Sequence, residues 1–276
     1  MLKFNNRIEE ASKKVKGAEK ASFGGPVLLY RTLRKVTKLY KYITDKKSFP
    51  ILVTSLFALF NPNLVLAADK YSNFGELKAN ESPLSYNILT TDVDRRVLIL
   101  APHGGGIEGG TSELARELSK SYSTYLFEGL RIPGASELHI TSTNFDEPRA
   151  LDLLNKHDLT ISIHGYASSK KHTLVGGTDR VQAVKITSLL IDAGFSAELL
   201  AEGSRLAGTN EQNIANKNST GMSIQLEIST EQRREMFNTF TLVGRGGTKN
   251  QVFYDYITVL TKFINENVYC MAGVAP

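Results

Sequence analysis

Short runs of apolar residues alternate with amphipathic stretches over most of the chain after residue 97. Buried strands are predicted at VLILA (97–101), YLFEGL (125–130), LHITST (138–143), LTISIHG (159–165) and SIQLEIS (223–229). Helices are predicted at 111–120, 147–157, 179–194, 230–237 and 250–268. Strands that alternate with helices predict an α/β fold, an open, twisted, mixed sheet flanked by helices.

Polar side chains lie at or just after the ends of these strands. They are His103, Asp146, His164 and Glu227. Because ligands collect at the carboxyl ends of the strands in open α/β sheets, the coincidence predicts a functional site there.

The segment PHGGGIEGGT has the composition of a metal-binding loop. We expect the strand to end at Pro102, so that His103 leaves it and the three glycines turn the backbone to bring Glu108 back to the same point. Imidazole and carboxylate suit zinc, and His164, from another strand end, is the best-placed third ligand. A phosphate-binding loop is the alternative, but the glycines match neither nucleotide pattern and Glu108 would repel phosphate.

Hydrolysis at such a site needs a general base, and Glu227 is the candidate. Alternation places Leu226 and Ile228 on the opposite face of the strand from Glu227. A buried carboxylate without a partner is costly, which favours a catalytic role. A structural salt bridge to Arg233 or Arg234 remains the alternative.

The first 67 residues differ from the rest in charge and pattern. They hold 13 Lys and Arg against 4 Asp and Glu, and the apolar run ILVTSLFALF (51–60) lies between basic residues and small residues. This predicts a signal peptide cleaved after Ala67 or Ala68, or an uncleaved anchor over residues 49–67. Either would make the protein secreted or extracytoplasmic, with one catalytic domain at 68–276.

The net charge of +5 therefore belongs to the leader. Residues 68–276 hold 20 basic against 24 acidic residues, so the folded part lacks the excess of positive charge that is typical of nucleic-acid-binding proteins. The single cysteine, Cys270, cannot form an intramolecular disulfide and is expected to be a bystander rather than a nucleophile. We expect a monomer.

Five segments, in order, resemble those of the poly-γ-glutamate hydrolases, a family first known from bacteriophages. They are APHGGGIEGGTSE (101–113), LHITSTNFDEP (138–148), SIHGY (162–166), TLVGG (173–177) and IQLEIS (224–229). The resemblance covers roughly residues 70–265. It implies a compact α/β fold related to zinc carboxypeptidases and a zinc enzyme that cuts the γ-amide bonds of polyglutamate.

The resemblance also implies the same site: His103, Glu108 and His164 as zinc ligands and Glu227 as the base. The first pair is spaced H-x4-E, whereas the wider carboxypeptidase pattern is H-x2-E, so the extra glycines must absorb the difference.

The anionic polymer would need cationic or hydrogen-bonding partners. Arginine matches carboxylates, so Arg205 and Arg234 are candidates, together with Tyr166 as a donor to the reacting oxygen. Among His139, Asp146 and Glu147, a carboxylate is expected to orient a ligand imidazole. Two other functions stay open, a zinc amidohydrolase acting on cell-wall peptide or an acylated amino acid, and a non-catalytic polyglutamate binder.

Overall fold

The computed structural model describes residues 69–269, which belong to a compact unit from Ala67 to Pro276. The predicted leader and Cys270 lie outside the described residues, and the predictions about them stay predictions. No helix in the described range combines the length and the apolar character needed to cross a membrane.

One mixed sheet of seven strands forms the centre of the described range. The strands are β1 (Tyr86–Thr91), β2 (Val97–Gly105), β3 (Ser123–Gly129), β4 (Leu159–Tyr166), β5 (Thr173–Gly176), β6 (Ala197–Leu199) and β7 (Met222–Ser229). They lie in the order β1-β3-β2-β4-β7-β5-β6. The central β3, β2, β4 and β7 are mutually parallel, whereas β1 and β5 pair antiparallel to their neighbours β3 and β7. The carboxyl ends of four strands therefore meet at one edge.

Helices cover both faces of the sheet, as the sequence predicts. They are α1 (Phe74–Asn80), α2 (Thr111–Leu118), α3 (Pro148–Leu154), α4 (Arg180–Asp192), α5 (Thr230–Glu235) and α6 (Gln251–Ile264). Alternation along β2 sends Val97 and Ile99 into a core with α2, α4 and α6, and sends Leu98 and Leu100 into a second core with α1 and α3. The predicted α/β class is confirmed.

Strands β4 and β7 carry apolar residues on one face only. Ile163 and Leu226 lie in the core formed with α2, α4 and α6. The intervening positions are polar, and the register pairs His164 directly with Glu227. Parallel pairing therefore places two of the predicted site residues side by side at the carboxyl edge.

The strand predicted at 138–143 is wrong. A 3₁₀ helix occupies Ala135–Leu138, and an irregular segment follows to the start of α3. Leu138 and Ile140 are both fully buried in the core formed with α1 and α3. The alternating apolar pattern therefore reports burial of two side chains, without the ladder of backbone hydrogen bonds that defines a strand.

The predicted end of β2 at Pro102 is also wrong. The strand continues to Gly105, with a shift of register against β3 between Ala101 and Gly104. His103 lies within this bulge rather than after the strand. A bulge re-aims a side chain while keeping the strand paired, which explains why the sequence pattern looked like a strand end.

Candidate metal centre

The bulge in β2 and the turn after it bring Glu108 back beside His103. Gly105 has a φ of +65°, and a Cβ there would lie 2.4 Å from the carbonyl oxygen of Gly129. Only glycine fits this close approach without strain. The backbone N–H of Glu108 then donates to the carbonyl oxygen of His103 at 2.9 Å, which closes the turn.

Three side chains converge at this point. The Nδ1 atom of His103 lies 3.1 Å from Nδ1 of His164 and 3.2 Å from Oε1 of Glu108. The ligand atoms of all three residues lie within 4.8 Å of one another. The structure therefore brings together the three residues that the sequence proposes as metal ligands, from β2, the following turn and β4.

Each of the three side chains is held by a second contact. His103 Nε2 donates to the carbonyl oxygen of Ile140 at 2.8 Å, and His164 Nε2 hydrogen-bonds Ser162 Oγ at 2.7 Å. Glu108 Oε2 accepts from the backbone N–H of Gly165 at 2.7 Å. These contacts fix which atoms face inward.

The expectation that Asp146 or Glu147 orients a ligand imidazole is wrong. Asp146 accepts from the backbone N–H of Phe74 at 2.7 Å, and Glu147 caps α3 by accepting from Ala150 N–H. Both carboxylates satisfy backbone donors at helix starts. The partners of the ligand imidazoles are a backbone carbonyl and a serine hydroxyl.

The inward atoms suit a cation. A carbonyl oxygen only accepts, so His103 Nε2 carries a hydrogen, and a cation that displaces the Nδ1 proton would meet a lone pair at Nδ1. This lone pair faces another imidazole nitrogen and a carboxylate. Two nitrogen ligands on one tetrahedral zinc ion lie roughly 3.3 Å apart, close to the 3.1 Å between the Nδ1 atoms of His103 and His164. The donor set therefore fits zinc.

The electrostatics of the cluster keep Glu108 ionised. Burial acts to raise the pKa of Glu108, but the His103 imidazole and its hydrogen bond outweigh burial and hold this pKa at about 2. Burial, together with the charge of His103, lowers the pKa of His164 to about 3. An anionic carboxylate and a neutral imidazole are the protonation states that metal ligands require.

Glu227 lies buried beside this cluster. Burial raises the pKa of Glu227 well above its usual value, and the Glu108 carboxylate acts in the same direction. Gln225 Nε2 donates to Glu227 Oε1 at 3.0 Å. Among the described residues no ion pair joins Glu227 to Arg233 or Arg234, so the structural salt bridge considered as the alternative is not formed.

The three residues predicted to bind substrate occupy different environments. Arg205 is exposed, and its charge acts to lower the pKa of Glu227. Tyr166, at the end of β4, is half-buried, and burial raises the pKa of its phenol. The Arg234 guanidinium lies 5.0 Å from the Phe240 ring centre and pairs with Glu231 on its own helix. No contact joins Arg234 to the cluster in the described structure, and the substrate roles stay predictions.

The contacts that His139 and Arg233 make at the site could not be predicted from the sequence. The His139 ring lies 4.1 Å from the His103 ring, and its Nδ1 atom is 2.7 Å from Asp69 Oδ1. Arg233 is buried against the segments that carry the cluster. His139 follows 3₁₀ helix Ala135–Leu138, and only the fold reveals that this segment lies against His103. Two adjacent arginines on α5 gave no signal of which one turns inward.

A mixed α/β sheet with a histidine–glutamate–histidine cluster at its carboxyl edge defines a class of α/β protein with a candidate metal site beside a buried carboxylate. The family model for poly-gamma-glutamate hydrolase matches residues 71–259, most of the described range. The chain belongs to this family of hydrolases, as the resemblance of its motifs implied.

Two Bacillus proteins are similar to this chain over most of their length. The chain is 92% identical over 276 residues, all of both chains, to the SPbeta prophage-derived UPF0714 protein YoqZ of Bacillus subtilis strain 168. It is 49% identical to UPF0714 protein YndL of the same strain, over 85% of this chain and 96% of YndL.

Two solved structures have the same fold. The zinc-free apo structure of YndL has a TM-score of 0.71 and 52% identity, covering 72% of this chain and 98% of that one. The structure of a bacteriophage poly-gamma-glutamate hydrolase has a TM-score of 0.70 and 37% identity, covering 74% of this chain and 100% of that one.

Proposed function

We propose that the protein is a zinc-dependent hydrolase that cleaves the γ-glutamyl amide bonds of poly-γ-glutamate. The observation that carries the proposal is the convergence of His103, Glu108 and His164 beside Glu227, within a chain of the poly-gamma-glutamate hydrolase family. The similar bacteriophage enzyme supports the substrate, and the existence of a zinc-free form of YndL supports the metal.

Zinc held by these three residues would polarise the scissile carbonyl and lower the pKa of water toward neutrality. Glu227 takes a proton from the attacking water and passes it to the leaving amide nitrogen. The Gln225 hydrogen bond to Glu227 Oε1 orients the carboxylate, and we assign the proton transfer to Oε2. A cation near Glu108 also offsets the like charge that raises the pKa of Glu227.

Substrate carboxylates would be bound at the rim of the site. Arg205 is the candidate best supported by the structure, because it is exposed and its charge acts to lower the pKa of Glu227. Tyr166 follows the ligand His164 by two positions on β4 and is proposed to donate to the reacting oxygen. Arg234 remains a weaker candidate, because its contacts lie along α5 and with Phe240.

The test is the loss of chain length of poly-γ-glutamate, followed by size-exclusion chromatography. We expect wild-type protein to shorten the polymer, a zinc chelator to stop the reaction, and added zinc to restore it. Glu227→Gln keeps the size of the side chain and should bind zinc normally while losing turnover by roughly 10²- to 10⁴-fold. Cleavage that persists in fully zinc-depleted protein would reject the metal mechanism.

A second candidate function is zinc hydrolysis of another amide, such as cell-wall peptide or an acylated amino acid. The observation in its favour is the excess of acidic over basic residues in 68–276, which gives no broad attraction to a polyanion. A panel of γ-linked polyglutamate, α-linked polyglutamate, peptidoglycan peptide and N-acyl amino acids separates the two functions. Binding of the polymer without any cleavage would instead identify a non-catalytic binder.

We also propose that the enzyme acts outside the cytoplasm. The support is the basic flank and apolar run that end near Ala67. Fractionation of cells and culture medium, with determination of the N-terminus of the protein found, would test this. Full-length protein confined to the cytoplasm would contradict it.

A further inference from the structure

Arg233 is a buried cation that the proposed chemistry does not use. It is 5% exposed, whereas Arg234, the next residue on α5, is exposed. Burying a guanidinium is costly unless its donors are satisfied, so the contacts that it makes need a reason.

The guanidinium of Arg233 contacts three separate segments of the site. Its Nε atom donates to the carbonyl oxygen of Ile228 at 2.9 Å, one residue after Glu227 on β7. One terminal nitrogen donates to the carbonyl oxygen of Gly109 at 2.6 Å, one residue after Glu108.

The third contact is with the end of β4. A Cβ at Gly165 would lie 2.4 Å from Cζ of Arg233, so the guanidinium lies directly against this glycine. Gly165 follows the ligand His164, and its N–H donates to Glu108 Oε2. The planar fork of one arginine therefore touches the residue immediately after each of two ligands and after the proposed base.

We propose that Arg233 is a positioning residue that holds the Glu108 turn, the end of β4 and the end of β7 at the separation that zinc binding requires. A planar guanidinium can donate in two fixed directions at once, which a lysine ammonium on a flexible stem cannot reproduce. Its charge also acts to lower the pKa of Glu227, and although burial lowers the pKa of Arg233, the Glu108 carboxylate acts against that effect. The inference rests on the proposed zinc site.

Arg233→Lys in the full-length protein tests this, with Arg234→Lys as the matched control one residue away. Zinc is removed, and the zinc dissociation constant of the refilled site is measured by competition with a chromophoric chelator. We expect Arg233→Lys to weaken zinc binding by roughly 10- to 100-fold, the usual effect of losing a residue that orients metal ligands. Arg234→Lys should keep the wild-type zinc affinity.

A urea titration of the zinc-free proteins separates positioning from simple stabilisation. If Arg233→Lys lowers only the free energy of unfolding, and the folded protein binds zinc as wild type does, the inference is overturned. A raised KM of the zinc-loaded variant with unchanged zinc affinity would also overturn it, because Arg233 would then contact substrate.

Gly165→Ala carries the test where Arg233→Lys does not fold, since the added methyl group displaces the guanidinium while leaving the arginine in place. It should weaken zinc binding in the same way, and wild-type affinity in the folded variant would overturn the inference alone. Wild-type protein that binds no zinc at all would overturn the proposed function and this inference together.

Discussion

Hydrogen bonds from neighbouring groups orient the single side chains of this site. His103 presents Nδ1 to the cluster because Nε2 is occupied by the carbonyl oxygen of Ile140. Glu227 is oriented by the hydrogen bond that its Oε1 atom accepts from Gln225. An acceptor or donor with only one possible role fixes the protonation and the orientation of its partner, which a water molecule would not do.

Gln225 gives a prediction at this scale. It is buried, its Nε2 atom also donates to the carbonyl oxygen of Leu206, and its Oε1 atom accepts from Asn213. We expect Gln225→Leu to lower kcat by about tenfold, because Glu227 loses its orienting donor. The free energy of unfolding should fall by about 1–3 kcal/mol, because buried polar partners are left unsatisfied.

Steady-state kinetics and urea denaturation of the zinc-loaded protein measure the two effects of Gln225→Leu. Gln251→Leu is the matched control, since Gln251 is exposed on α6 and bonds Asp255. An unchanged kcat in Gln225→Leu would show that Glu227 does not depend on this hydrogen bond.

Among the elements, β2 combines the roles of buried strand and ligand carrier. Its first five residues are apolar, and the middle three of them pair with both neighbours, whereas Gly104 and Gly105 pair only with β3 after the bulge. The unpaired side is where His103 meets β4. The first part of β2 therefore belongs to the core, and the last part of the same strand belongs to the candidate site.

Gly105 allows a prediction about this element. Alanine there would have to adopt a φ of +65° and would place its Cβ 2.4 Å from the carbonyl oxygen of Gly129. We expect Gly105→Ala to lower the free energy of unfolding by at least about 2 kcal/mol, the cost of left-handed backbone plus the clash. Zinc affinity should fall as well, because the turn that returns Glu108 must move.

Gly246→Ala is the control for Gly105→Ala, since nothing lies within 4 Å of a Cβ at Gly246. Urea denaturation of the two variants, without and with zinc, gives both quantities. Equal stability of Gly105→Ala and wild type would contradict the close approach of β2 and β3 at this point.

Periodicity predicted the central elements because their side chains alternate between core and site. In β4 and β7 the apolar residues face one core and the polar residues face the site, so the pattern LTISIHG or SIQLEIS reports both. The sequence pattern did not predict where irregular segments pack against the sheet. Leu138 and Ile140 are buried as strongly as strand residues, yet the segment that holds them only passes beside His103.

The candidate site shows the same division. Its three candidate ligands could be predicted because His103 and His164 lie near the carboxyl ends of neighbouring parallel strands and Glu108 follows the first of these strands. The burial of Arg233 could not be predicted, because a helix of only six residues shows no periodicity that tells which of two adjacent arginines faces inward. His139 could not be assigned either, since its contacts with His103 and Asp69 depend on how an irregular segment folds back.

At the scale of the whole molecule, the candidate metal centre joins parts of the chain that are distant in sequence. His103 and His164 are 61 residues apart and belong to neighbouring parallel strands. The Glu108 carboxylate lies close enough to Glu227 for its charge to act to raise the pKa of Glu227. Binding of a cation at the cluster would offset this repulsion and should stabilise the whole domain.

Removal of zinc gives the last prediction. A ligand that binds only the folded state raises the free energy of unfolding by RT ln(1 + [L]/Kd), about 4 kcal/mol at free zinc 1,000 times above Kd. We expect chelation to lower the Tm of wild-type protein by several degrees, reversibly on addition of zinc, in calorimetric scans. His164→Ala should lose this zinc-dependent shift, whereas His172→Ala, whose ring hydrogen-bonds Ser196, should keep it. A Tm that is indifferent to zinc in wild-type protein would show that the converging side chains do not bind the metal in the folded state.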